Sequence, residues 1–445
     1  MSKKVIKGKV AYLTEEGKGV VKIKGKDLFV PYVLPGEFVS VEVVETRTGE
    51  VSRLLKVETP SVDRVKPPCP YFYECGGCQL QHMNYSAELS FKENYVKRLL
   101  SKFGDFSGVI GMENPWYYRN KVISTFGYDR SNRVVSGIYS ESSHRLVPID
   151  VCLIEDEVAD KVIATIRKLV SDFKIRIFDE DKGRGFLRHV VIRSGHYSGE
   201  VMVTLVVSSF EFPSKNNFVK ALVKKHPEVG CVVLNLNKRR SSVVLGHEER
   251  VIYGKGFIED ALCGLRFGIS SRSFYQINSV QTEILYNKVI EFAGLTGEEL
   301  VLDAYCGVGT IGMVVASRAK RVIGVEINAD AVKDAKINAR RNDISNISFV
   351  CADASDYMVG LTKEGIGVDV VLMDPPRDGS DERFLEAVLK LKPKRVVYVS
   401  CGPYALARDL EFLTRHGEYR VAQMVGVDLF PHTYHVETVV KLERQ

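Results

Sequence analysis

Apolar and polar positions follow three rhythms along this chain. Over residues 1–60, short apolar stretches alternate with polar ones: Val5-Ile6-Lys7-Gly8-Lys9-Val10, Gly19-Val20-Val21-Lys22-Ile23, Asp27-Leu28-Phe29-Val30-Pro31, Glu37-Phe38-Val39-Ser40-Val41-Glu42-Val43 and Val51-Ser52-Arg53-Leu54-Leu55-Lys56-Val57. Turn signals separate them at Glu16-Gly17, Lys24-Gly25-Lys26, Pro35-Gly36 and Thr48-Gly49. Five such strands predict a small OB-like barrel. Residues 85–102 carry Leu89, Val96, Leu99 and Leu100 at helical spacing. From 121 to about 260 the pattern is mostly strand, with helical stretches at 156–172 and 214–225. The runs 185–193 and 200–207 predict an antiparallel pair.

From about 280 the rhythm changes to continuous apolar runs separated by amphipathic stretches. It predicts strands at 300–304, 321–326, 347–351, 368–374 and 395–400. Helices are predicted at 310–318, 329–342, 381–391 and 404–415, with a closing hairpin of 419–428 and 434–442. Apolar runs without alternation are the mark of parallel strands covered on both faces. The predicted organisation is therefore an OB-like barrel (1–60), a central α+β domain (61–275) and a C-terminal α/β domain of Rossmann-like type (276–445).

Chemistry collects where these buried strands end. One stops at Ser400-Cys401-Gly402-Pro403, a second at Asp374-Pro375-Pro376-Arg377, and a third at Asp303-Ala304-Tyr305-Cys306-Gly307-Val308-Gly309-Thr310. In open α/β sheets, ligands bind in the crevice at the carboxyl ends of the strands. The glycine turn lacks the G-x-G-x-x-G spacing of dinucleotide folds, which argues against a nicotinamide enzyme. Glu326 ends the next strand, where a carboxylate can accept both hydroxyls of a ribose, and Asp353 follows the one after. Acids in register along one sheet edge predict an S-adenosylmethionine pocket.

Composition adds a second candidate site. The 445 residues are 45% hydrophobic and 27% charged, with net charge +6, ordinary for a globular protein and compatible with a nucleic-acid partner. With no membrane-spanning run and no signal peptide at Met1-Ser2-Lys3-Lys4, the cytoplasm is the expected compartment, and the nine cysteines are not read as disulfides. Cys69, Cys75 and Cys78 fall within ten positions among Pro, Gly and aromatic residues, and Cys152 is the best fourth ligand. Thiolates so spaced ligate zinc or an iron–sulfur cluster, and the irregular pattern favours [4Fe–4S]. Cys231 and Cys263 read as core residues and His82 as a packing histidine. Lys3, Lys4, Lys7, Lys9, Lys18, Lys22, Lys24 and Lys26 crowd the barrel, either as a solvated edge or as phosphate contacts. Trp116-Tyr117-Tyr118-Arg119-Asn120-Lys121 is either a base-stacking element or an aromatic anchor.

The barrel, the four cysteines, Phe274-Tyr275-Gln276-Ile277-Asn278, Asp374-Pro375-Pro376-Arg377, Ser400-Cys401-Gly402-Pro403 and His435-Val436-Glu437-Thr438-Val439 occur together. In this combination the whole chain resembles the TRAM-domain RNA uracil-5-methyltransferases, class I enzymes that use S-adenosylmethionine. The cysteine set resembles their 23S ribosomal RNA branch, which carries a [4Fe–4S] cluster. Many members read Ser-Cys-Asn-Pro where this chain has Gly402. The resemblance implies Cys401 as nucleophile towards uracil C6 and Glu437 as the base that removes the C5 proton. It implies Gln276, Tyr305, Thr310, Glu326, Asp353 and Asp374 as cofactor contacts, Arg377 as a phosphate or base contact, and Cys69, Cys75, Cys78 and Cys152 as cluster ligands. The implied partner is 23S rRNA, presenting an unstacked uridine to a monomeric enzyme. The rival readings are T-loop methylation of tRNA, cytosine-5 methylation (disfavoured because no second cysteine lies near Cys401) and a non-catalytic RNA-binding assembly factor.

Overall fold

The computed structural model describes residues 3–445 except 24, 47–48, 141–142, 144 and 240–242. Lys24 and Thr48, named above among the basic residues and turn signals, lie outside the described residues. The first five strands, Lys3–Leu13, Gly19–Ile23, Lys26–Val30, Phe38–Thr46 and Gly49–Thr59, form one antiparallel sheet in the order 3-2-1-4-5. Alternation puts Val10, Val21, Val30, Val39, Val41 and Val43 inside. The outer strands meet where the Ser52 hydroxyl donates to the Phe29 carbonyl. Three of the lysines pair with carboxylates, Lys3 with Glu42, Lys7 with Glu58 and Lys18 with Glu16, which blunts the basic face at those positions.

A seven-stranded mixed sheet fills the middle of the chain, and its Leu187–Ser194 and Val201–Val207 pair antiparallel. Helices Glu157–Asp172 and Lys215–Lys225 pack on it through Val162, Ile166, Phe218 and Leu222. The hairpin Phe257–Leu262 and Leu265–Ser270 follows. Cys231 is fully buried in its strand. Cys263 packs against the core from outside the strands. It sits at the hairpin turn with φ 50° and is partly exposed.

The site-bearing sheet has eight strands, ordered Ile347–Cys351, Arg321–Glu326, Leu300–Ala304, Val370–Met373, Arg395–Ser400, Glu437–Arg444, Tyr419–Val427 and Phe106–Ile110. All run in one direction except Glu437–Arg444, which is antiparallel to both its neighbours. The outermost strand comes from far upstream, within the stretch that the sequence pattern assigns to the middle of the chain. Successive residues face opposite layers. Val301, Val322, Val397 and Val439 pack with helices Ser279–Ala293, Thr310–Ala316 and Ala329–Arg341. Leu302, Ile323, Val396 and Val440 pack with Ala354–Glu364, Glu382–Leu391 and Pro403–Thr414. Burial on both faces is why the strands read as unbroken apolar runs.

Two of these helices have no counterpart in the periodicity reading. Ser279–Ala293 is capped by Asn278, which accepts from Gln281 N, and Ala354–Glu364 by Asp353, which accepts from Ser355 N and Asp356 N. No described helix is long and apolar enough to cross a membrane.

Candidate active site

The chain moves outward in one direction through strands 300–304, 321–326 and 347–351, then returns to the other side at 370–373. The crevice at such a reversal, on the carboxyl edge, is where open α/β sheets hold ligands. A cavity of about 630 Å³ opens there, and Gln276, Tyr305, Thr310, Glu326, Asp353, Asp374, Cys401 and Glu437 all line it. The structure thus gathers both expected catalytic residues and all six expected cofactor contacts.

Each is positioned by a local cause. Ser400 pairs with Thr438 across the antiparallel ladder, so Cys401, just past one strand, and Glu437, first in the other, come to the same edge. The Gly402 amide donates to Ser400 Oγ at 3.1 Å. A Cβ on Gly402 would lie 2.4 Å from the Arg377 carbonyl, so only glycine allows the two strand-end loops to approach this closely. The same interpretation applies to Gly309 (φ 79°), whose Cβ would meet Phe349 at 2.6 Å. Glu326 accepts from Gly307 N at 3.0 Å and Asn328 N at 2.8 Å, which holds the glycine turn against the carboxylate. Thr310 Oγ1 shares a hydrogen bond with Tyr286, and Tyr305 OH one with Ser380. Tyr305 adopts φ 62°, a strained backbone of the kind that concentrates at functional sites. Asp353 caps its helix and also lines the cavity.

The electrostatics are one-sided. The lining holds Glu326, Asp353, Asp374 and Glu437, and among the described residues no lysine or arginine. Burial pushes the Glu437 carboxyl up to about 8, with Asp374 adding to it. Burial alone pushes Asp374 up to about 7. Beneath them Asp303 is also raised to about 7, by burial and then by Asp374 and Glu326, against the Gly312 N–H that it accepts at 2.8 Å. Cys401 is raised to about 12 by burial and by the Glu437 and Asp374 carboxylates, while Arg377 acts the other way.

Cys401 also borders a second cavity of about 620 Å³, lined by Arg377, Arg408, His435, Tyr404, Tyr95, Glu15 and Glu16 among others. The Tyr404 hydroxyl donates to Glu15 Oε2 at 3.0 Å, joining the first strand turn to the helix behind the cysteine. Sequence reasoning missed Tyr95, Tyr404, Glu15, Glu16 and any role for His435. His435 stays neutral, held down to about 4 by burial and then Arg377. Only His435 stood in a motif; the others come from three separated segments that no local pattern connects.

Loop 428–436 presents His435 and Glu437. Lys92 Nζ, fully buried, reaches Glu88 Oε1 and Asp428 Oδ1 at 2.7 Å each, and the His432 amide donates to Glu88 at 2.7 Å. Trp116 stacks on the His432 ring at 3.8 Å, and Tyr118 OH donates to the Pro431 carbonyl at 3.0 Å. Through these contacts the two aromatics anchor the loop.

Cys69, Cys75, Cys78 and Cys152 line one further cavity, of about 390 Å³, with Arg119 and Lys121. Burial raises all four thiols, Cys78 to about 12. Among the described residues, however, no group of three or more His, Cys, Asp or Glu could hold a metal ion. The four-cysteine expectation is corrected to this extent: the sulfurs surround a common space without forming a ligand set for one ion. His82 is fully buried against Phe72 and Tyr32, as a packing residue.

A family model described as tRNA (Uracil-5-)-methyltransferase matches residues 246–445. An uncharacterized RNA methyltransferase of Halalkalibacterium halodurans is 44% identical over 445 residues, 99% of this chain and 97% of that protein. The chain belongs to the RNA uracil-5-methyltransferase family. A Listeria monocytogenes relative, also an uncharacterized RNA methyltransferase, is 41% identical across 97% of this chain and 95% of its own. The crystal structure of the Pyrococcus abyssi tRNA (uracil-54, C5)-methyltransferase in complex with S-adenosyl-L-homocysteine superposes with TM-score 0.81. It is 30% identical and covers 98% of this chain and 100% of that one. The family's methyltransferase fold is therefore the fold of this chain, and the chain is an RNA methyltransferase.

Proposed function

We propose that the protein transfers a methyl group from S-adenosylmethionine to C5 of a uridine in 23S rRNA, with Cys401 as nucleophile and Glu437 as base. One observation carries the reading: the Cys401 thiol and the Glu437 carboxylate line one cavity with three further carboxylates and, among the described residues, no lysine or arginine, and the thiol also borders a second cavity. Bound S-adenosylmethionine supplies an electrophilic methyl group on a cationic sulfur. Gln276, Tyr305, Thr310, Glu326, Asp353 and Asp374 hold it, Glu326 at the ribose and Asp353 at the adenine.

The uridine enters from the second cavity, where Arg377 meets its phosphate or base edge. It must leave its stack for both faces of the ring to be reached. The Cys401 thiolate adds to C6, and the displaced electron pair makes C5 nucleophilic. Arg377 favours the thiolate and the two carboxylates oppose it, so their balance sets how much is available. After C5 is methylated, Glu437 takes the C5 proton, the C5–C6 double bond re-forms and the Cys401 sulfur leaves.

The chain divides, in this reading, into a TRAM-type barrel (1–60), a central RNA-binding domain (61–275) and a Rossmann-like class I catalytic domain (276–445). The rRNA assignment draws on the four cysteines around one space. One zinc ion would draw its sulfurs to about 2.3 Å from a single centre. A [4Fe–4S] cluster gives each thiolate its own iron, and Cys69, Cys75, Cys78 and Cys152, which line one cavity, are the residues that would hold it. Its role there is structural, since the transfer needs no electron. Anaerobic purification should then yield a brown protein with four irons; a colourless, zinc-loaded one contradicts the cluster.

The second reading is tRNA T-loop methylation, favoured by the likeness to the archaeal tRNA enzyme. Radiolabelled methyl transfer to purified 23S rRNA and to unmodified tRNA decides between them. Label in rRNA alone is the expected result, and label in tRNA alone overturns the rRNA assignment.

A further inference from the structure

The cofactor cavity faces its ligand with carboxylates from several strands and, among the described residues, with no lysine or arginine. Glu437 opens the antiparallel strand and is 5% exposed. Asp374 ends the strand Val370–Met373. Among the described residues neither carboxyl accepts a hydrogen bond, in contrast to Glu326 and Asp353, whose oxygens are held by backbone amides. Glu437, so buried and unpartnered, is costly to charge, and Asp374 stands half-buried on the same cavity wall. We propose that Glu437 and Asp374 form a charge sensor for the cofactor sulfur: the sulfonium before transfer ionises them, and its loss on transfer makes Glu437 a stronger base when the C5 proton must be removed. The inference rests on the reading of Glu437 as base and adds a timing device to it.

The electron count supports the timing. In methyl transfer the C5 electron pair forms the new C–C bond. The pair of the broken S–CH3 bond stays on sulfur, which passes from a cationic sulfonium to a neutral thioether. The positive charge beside the carboxylates disappears in that step, and the proton affinity of Glu437 rises towards its value in the empty cavity, about 8. The carboxylate then accepts the C5 proton, the C–H pair re-forms the double bond, and the Cys401 sulfur leaves with its bonding pair.

Of the acids, Asp374 is the one that acts on the Glu437 carboxyl; Asp303, Glu326 and Asp353 stand at strand ends farther along the sheet. Tyr286, from the helix behind, is raised far above the tyrosine range and stays neutral, as does Tyr305. Cys401 is a neutral thiol in the empty site, and His435 on the preceding loop is neutral too. Arg377 is the cation beyond Asp374, and it lines the other cavity.

The test is proton-linked binding. Near pH 6.5, calorimetry in two buffers of different ionisation heat counts protons released when S-adenosylmethionine or S-adenosylhomocysteine binds. The sulfonium should release up to about two protons more than the thioether, and its affinity advantage should fall by up to about a hundredfold per pH unit below pH 7. In Glu437→Gln most of the excess release should vanish; Asp374→Asn should remove part of it. Equal proton counts for the two ligands in the native protein, which need no variant, overturn the proposal. So does an excess that persists unchanged in both variants. Trapping of a Cys401 adduct with RNA is scored separately: adduct without excess proton release removes only the sensor, and no adduct removes the reading beneath it.

Discussion

Two cavities meet at Cys401, and they differ in charge. The one over the sheet edge is lined by four carboxylates, with no lysine or arginine among the described residues. The one beyond the sulfur mixes the two signs: Arg377 and Arg408 line it with a neutral His435 and with Asp378, Glu15 and Glu16. The short turn Asp374-Pro375-Pro376-Arg377 serves both: its acid lines the first and its arginine the second. In the proposed reading the all-acidic cavity would take the cationic methyl donor and the arginines of the mixed one would meet the anionic nucleic acid, with the thiol on the boundary between them. The contrast teaches that the two cavities differ in whether cations are present at all.

Substitutions on either side should therefore separate cleanly. The largest effect is expected for Glu437→Gln, which should lower turnover by about 100- to 10,000-fold, as loss of a general base does. It should also let a methylated Cys401–RNA adduct accumulate on denaturing gels. Normal product release would remove Glu437 from its role. Next comes Gly402→Ala. Its methyl cannot coexist with the Arg377 carbonyl at 2.4 Å, so the loop must shift, and a displacement of about 1 Å costs on the order of 100-fold in rate. Steady-state kinetics should show the loss mainly in kcat; an unchanged kcat would mean that the loop contact has no bearing on chemistry. Arg377→Ala should act on the nucleic-acid side and on the Cys401 thiolate, and not on the methyl donor. Loss of a charge-assisted contact should raise KM for RNA by about tenfold or more, with affinity for the methyl donor unchanged by calorimetry. Smallest is Tyr404→Phe, which frees the turn at Glu15 and should change KM for RNA by less than about threefold, in line with other exposed single bonds.

The two cavities also differ in how far they could be read from the chain. Apart from Gln276, which lies between the hairpin strand Leu265–Ser270 and helix Ser279–Ala293, every residue expected on the donor side lies near the end of a buried strand, where an apolar run gives way to Asp, Glu, Cys or a glycine turn. Topology then brings such ends together, so Cys401, Asp374, Glu326 and Glu437 could be placed from pattern and resemblance. The other side is assembled from packing between distant segments. Glu15 belongs to the first hairpin, Tyr95 to helix Tyr85–Leu100 and Tyr404 to helix Pro403–Thr414, and nothing in their local sequence records that they meet. The same holds for strand Phe106–Ile110, which joins the sheet edge beside Tyr419–Val427 from more than 300 residues away. Helices Ser279–Ala293 and Ala354–Glu364 escaped because their starts depend on the cap residues Asn278 and Asp353, the second of which reads equally well as a site acid. Strand Glu437–Arg444 begins three residues later than the pattern suggests, because Asp428 and His432 are tied to Glu88 and Lys92 and hold the preceding loop open.

The account depends on a sulfur–carbon bond between Cys401 and a uracil ring. Its most direct test is mass spectrometry of the complex formed with RNA carrying 5-fluorouridine at the target, in the presence of S-adenosylmethionine. A fluorinated, methylated nucleotide attached to the peptide containing Cys401, and absent in Cys401→Ala, is the predicted result. An adduct on Cys306 or Cys351 instead, or full methyl transfer by the Cys401→Ala protein, would contradict it.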